Sequence, residues 1–63
     1  MEKITLKAAR VNANLTIKQA AQQIGVDEST IIRWEKNPGI VKADYQKKIS
    51  EVYKFSSDYI FFG

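Results

Sequence analysis

Cysteine and histidine are absent from this chain of 63 residues, proline occurs once and glycine three times. Without cysteine there is no disulfide staple, no thiolate zinc site and no cysteine nucleophile. Without histidine the commonest general base and metal ligand is missing as well. Most catalytic chemistry is thereby disfavoured, and no metal or cofactor is expected. Nowhere do about 18 apolar residues run together, as a membrane-crossing helix would require. The opening Met-Glu-Lys-Ile lacks the apolar run and small-residue cleavage site of a secretory signal. A cytoplasmic protein is the expectation, with no membrane partner and no small-molecule ligand.

What is present is 44% hydrophobic residues and ten Lys plus Arg against seven Asp plus Glu, a net charge of +3. That hydrophobic share is too high, and that charge too low, for intrinsic disorder. The length allows a single domain, residues 1–63. A domain of this size buries only about 60% of the surface its unfolded chain exposes, so its stability depends on efficient packing or on a partner. The basic excess permits a polyanionic partner without requiring one.

Apolar periodicity predicts five short helices, an all-α bundle. The first runs from about Thr5 to Asn12, with Thr5 as a possible N-cap, and ends near Asn14, a residue type that readily takes the left-handed conformation. Thr16-Ile17-Lys18-Gln19 then has the form of a capping box, with threonine at the cap and glutamine three residues on. Ile17, Ala20, Ala21 and Ile24 follow at i, i+3, i+4, i+7, and Gly25 stands where a left-handed C-cap belongs, giving a second helix over 17–24. Val26 points back to the core and Asp27 caps a third helix, about 28–36. Its Ile31 and Trp34 share the inner side with Glu35 beside them; Ser29, Arg33 and Lys36 share the outer side, flanked by Glu28 and Ile32. Asn37-Pro38-Gly39 is the strong turn cluster. A fourth helix is predicted from about Ala43 to Tyr53, packing through Tyr45, Ile49, Val52 and Tyr53. A fifth, about 57–62 with Ser56 as N-cap, should bring Tyr59 and Ile60 into the core.

Two helices of about two turns joined by Gly25-Val26-Asp27 make the arrangement of a helix-turn-helix, spanning about 16–36: small residues allow close crossing, and glycine supplies the φ that a side chain resists. The ordered set Leu15-Thr16, Ala20-Ala21, Ile24-Gly25-Val26, Ile31, Trp34-Glu35 resembles the Cro/repressor-type helix-turn-helix family of phage and bacterial transcription regulators, also called the XRE family. Arg10, Ile49, Val52-Tyr53 and Phe55-Ser56-x-Asp58-x-Ile60 extend the resemblance over nearly the whole chain.

The resemblance implies a lambda-repressor-like DNA-binding domain. Its third helix would lie in the major groove of a double-stranded operator, with the N-terminus of the second helix against a phosphate. The expected role is that of a repressor, from a phage or a bacterial chromosome, comparable in size to a minimal Cro-like regulator. Candidate base contacts are Glu28, Ser29, Ile32 and Arg33, of which Arg33 can reach guanine O6 and N7 with two donors. Candidate phosphate contacts are Thr16, Ile17, Lys18, Lys36, Asn37 and Lys42. Relatives pair an arginine and a glutamate as at Arg10 and Glu35, which implies a partly buried salt bridge here. A lone domain reads few base pairs, so a homodimer is expected at least on DNA, with Phe61 or Phe62 either forming a self-association patch or folding back onto the first helix.

Periodicity alone leaves Ser29, Arg33 and Lys36 as either a solvated face or a reading face, Glu28 as either a base contact or a residue placed for the helix dipole, and Ile32 as either a thymine contact or an ordinary exposed aliphatic. Trp34 and the tyrosines read as core or core edge rather than as a stacking platform. Departures from the family pattern are Ile17 in place of a DNA-approaching glutamine, Pro38-Gly39 early in the loop, Gln46 for a common leucine, and Lys54 for a common glycine, which implies a left-handed lysine. The alternative function is a protein-binding helix-turn-helix module, an antitoxin or adaptor, with Ile17 and Ile32 on its outer surface.

Overall fold

The computed structural model describes residues 2–63. Four α-helices carry the fold: α1 Leu6–Asn12, α2 Ile17–Ile24, α3 Glu28–Lys36 and α4 Ala43–Tyr53, with 3-10 turns at Pro38–Ile40 and Ser57–Tyr59. Each boundary has a local cause. The Thr5 hydroxyl accepts from the Ala8 N–H and starts α1 at Leu6. Asn14 takes φ 59° and turns the chain into α2. There the capping box is complete: Thr16 Oγ1 accepts from the Gln19 N–H at 3.1 Å, and Gln19 Oε1 accepts from the Thr16 N–H at 2.9 Å. Gly25 closes α2 at φ 89°, its N–H donating to the Ala21 carbonyl. Asp27 occupies the cap position of α3 but makes no side-chain hydrogen bond there.

The core forms where the helices meet. Ala9, Ala20, Ile24, Ile31, Ile49 and Ile60 are fully enclosed, joined by Leu6, Ala21, Trp34, Val41 and Tyr53. The alanines of α2 are buried, and a small side chain there permits the close approach to α3 and α4 that the helix-turn-helix corner needs. Gln46, at a position suited to leucine, is accommodated because its Nε2 donates to the Val41 carbonyl at 3.0 Å. Lys54 ends α4 in the left-handed conformation expected of it, at φ 54°, ψ 44°.

Two expectations need correction. The fifth helix is a single 3-10 turn, Ser57–Tyr59, opened by Ser56 Oγ accepting from the Asp58 N–H. It goes no further because Ile60 is extended and forms a parallel bridge with Ile4. The Ile4 N–H donates to the Tyr59 carbonyl and the Phe61 N–H to the Ile4 carbonyl, both at 2.8 Å. The run Ile-Phe-Phe suits an extended backbone, and the N-terminal segment offers it the partner that a helix would have found internally. Tyr59 is consequently turned outward, 40% exposed, while Ile60 alone fills the core. The two terminal phenylalanines also part company: Phe62 packs against the core, whereas Phe61 is 47% exposed.

Candidate nucleic-acid interface

The outer side of α3 follows from its phase. With Ile31 and Trp34 anchored in the core, Glu28, Ser29, Ile32, Arg33 and Lys36 are all exposed, Ile32 to 42%. Among the described residues the one salt bridge is that of Arg10 with Glu35, so the Arg33 guanidinium has no carboxylate partner in the chain. Glu28 stands in the first turn of α3, where its charge favours the helix dipole.

At the start of α2 the capping box consumes the N–H groups of Thr16 and Gln19. The N–H groups of Ile17 and Lys18 lie at the first two helical positions, which have no intrahelical acceptor. They are the donors left for an anion. Thr16 and Lys18 are exposed; Ile17 is half-buried and packed against the core, so only its backbone faces outward chemistry. Asn37 is the C-cap of α3, exposed like Lys36 before it. Lys42 is the N-cap of α4 and lines, together with Arg33, a cleft of about 420 Å³ between α3 and the start of α4. Of the basic side chains expected on one face, Arg33 and Lys42 are the two that this cleft brings together.

The scaffold behind α3 is tied by Arg10. It is 7% exposed. Its Nε donates to Glu35 Oε2 at 2.7 Å, Nη2 to Glu35 Oε1 at 3.5 Å, and Nη1 to the Leu15 carbonyl at 2.8 Å. One side chain thus joins α1, the α1–α2 connector and the last turn of α3, and fixes the angle at which α3 is presented. The buried Tyr53 lies in the field of the same pair, its hydroxyl pKa pushed up to about 12 by desolvation first and by the Glu35 charge second, against the opposing Arg10 charge.

The cleft itself was not legible in the sequence. Its walls are Val26, Thr30, Trp34, Ile40 and Tyr45, with the Trp34 and Tyr45 rings 5.2 Å apart at 51°. These residues come from the α2–α3 turn, α3, the 3-10 turn and α4, and the only local hint was an aliphatic, Ile40, directly after the Pro-Gly pair; it is 44% exposed. Among the described residues no group of three or more acidic, histidine or cysteine side chains is placed to hold a metal, and no helix is long and apolar enough to cross a membrane. In comparison with known proteins, a family model described as helix-turn-helix matches residues 6–60. No curated protein and no solved structure matches the chain.

Proposed function

The chain belongs to the Cro/repressor-type helix-turn-helix family, a family of non-enzymatic DNA-binding domains, and from that premise we propose that it is a transcriptional repressor that occupies a duplex operator with α3 in the major groove. The observation that carries this reading is the exposed outer side of α3, where Arg33 stands between Ser29 and Lys36 without an acidic partner among the described residues. In this reading Arg33 reads guanine, Ser29 and Ile32 contact neighbouring base edges, and Glu28 accepts from cytosine N4. The free N–H groups of Ile17 and Lys18, the Thr16 hydroxyl, and the side chains of Lys18, Lys36, Asn37 and Lys42 hold phosphates and set the register. Two copies on half-sites about 34 Å apart supply the specificity that one helix lacks. The competing reading, a protein-binding antitoxin or adaptor, needs an apolar outer surface. Of its two marks, Ile17 packs inward and Ile32 alone is exposed.

Binding to mixed-sequence duplex measured across a salt series is the test. Affinity should fall steeply as salt rises. Failure to bind at low salt, or indifference to salt, overturns the reading. Operator selection from random duplexes should return a palindrome, and Arg33→Ala should reduce discrimination at one position per half-site by about 1–3 kcal/mol. If Arg33→Ala discriminates as well as the parent chain, another side chain reads the sequence.

A further inference from the structure

The cleft beside α3 joins apolar side chains to two cations. Its wall is largely aromatic and aliphatic: the Trp34 and Tyr45 rings meet at 51°, Val26 and Ile40 add apolar surface, and Thr30 adds one hydroxyl. Its ionisable lining groups besides Tyr45 are two cations, Arg33 and Lys42; no carboxylate lines it. Neither cation is paired with an acid among the described residues. A volume of about 420 Å³ lies within the range that small ligands occupy. An apolar notch bordered by positive charge alone matches a flat apolar body carrying a negative group: the ring would lie against Trp34, Tyr45 and Ile40, and the carboxylate or sulfonate would take charge-assisted hydrogen bonds from Arg33 and Lys42.

We propose that this cleft is a binding site for a small aromatic anion, and that such a ligand competes with duplex DNA for Arg33. The second half rests on the proposed reading of DNA by Arg33; the first half does not. An anion held there neutralises the guanidinium that would otherwise face guanine, so the ligand would act as an inducer, releasing the operator.

The chain contains a single tryptophan, Trp34, and it forms part of the cleft wall, so its emission reports occupancy. The probe is 1-anilinonaphthalene-8-sulfonate, which accepts energy from tryptophan. Titrated into the intact protein without DNA, it should quench Trp34 saturably at one equivalent and be displaced by phenylacetate but not by the neutral 2-phenylethanol. Lys42→Glu and Ile40→Asp, checked for native near-ultraviolet circular dichroism, should each weaken it by about tenfold or more. Lys48→Glu makes the same charge change on the exposed face of α4 outside the cleft and should leave it unchanged. Unsaturable binding, equal displacement by the alcohol, or equal loss in Lys42→Glu and Lys48→Glu overturns the site. A labelled duplex then tests competition: saturating phenylacetate should weaken duplex binding. If probe and duplex both bind but independently, the competition is wrong. If the probe binds and the duplex never does, the DNA reading has failed and the site stands.

Discussion

Arg10 shows how one side chain sets the position of a helix that it does not belong to. Its side chain and that of Glu35 are 9% and 13% exposed, so most of the water around both charges has been removed and their bond must compensate. Arg10→Met should therefore cost about 3–5 kcal/mol in urea unfolding, because Glu35 is left desolvated without a partner. A loss below about 1 kcal/mol would mean that the pair behaves as a solvated surface bridge. Tyr53 adds a pH dependence. Its pKa rises from 10.0 to about 12 on folding, so the folded chain keeps a proton that the unfolded chain releases. Its contribution to stability is whole below pH 10 and is lost as the pH climbs towards about 12. The difference in urea midpoint between the parent chain and Tyr53→Phe should be flat up to pH 10 and then shift against the parent. A difference that stays flat to pH 12 removes the desolvated phenol from the account. The pairing of residues 10 and 35 was implied by resemblance, since nothing in local periodicity joins positions 25 apart. The bond from Arg10 to the Leu15 carbonyl had no sequence signal, because backbone acceptors look alike in every residue.

Helix ends are where the elements were most legible. The Thr16 box and the Gly25 turn both depend on side-chain chemistry or backbone freedom within four residues, which a sequence displays directly. Lys54 is the costly end. A side chain at φ 54° brings its Cβ towards the carbonyl oxygen, so Lys54→Gly should stabilise the protein by about 1 kcal/mol, read as a higher thermal midpoint with the fold unchanged. A lower midpoint would show that the lysine stem contributes packing that outweighs its strain. The expected fifth helix illustrates the opposite case. Ser56 does start a turn, as capping logic predicts, yet after one turn the backbone of Ile60 and Phe61 bonds to Ile4 instead of to itself. A cap states where a helix begins; how far it continues depends on competing partners elsewhere in the chain.

At the scale of the whole molecule, the two ends of the chain close the fold. Ile4 and Ile60 bridge, Ile60 is fully buried, and Gly63 lies so close to the Pro38–Ile40 turn that a Cβ on it would meet Gly39 Cα at 2.8 Å. The tail thus packs against the connector between α3 and α4 as well as against the core. A domain of this length typically has about 3–9 kcal/mol of stability. Ile60→Ala should remove about 2–4 kcal/mol, a large share of the total, and should lower the urea midpoint accordingly. If the midpoint barely moves, the terminal bridge is an ornament and the four helices stand alone. The exposed Tyr59 and Phe61 flank this closure, so dimerisation on DNA would not need to dismantle Ile60.

Four of the helices, the caps of α1 and α2, the buried anchors of α2 and α3 and the helix-turn-helix corner were determined by the sequence itself. These depend on spacing and on short-range hydrogen bonding, which are properties of neighbours in the chain. Tertiary structure alone decided the extended terminal bridge, the inward turn of Phe62 with the outward turn of Tyr59, and the cleft that sets Arg33 and Lys42 beside Trp34 and Tyr45. Each arises from residues far apart in sequence whose meeting is fixed by the angles at which helices pack. Those angles are set by the summed shape of the buried side chains, and no single stretch of sequence contains that sum.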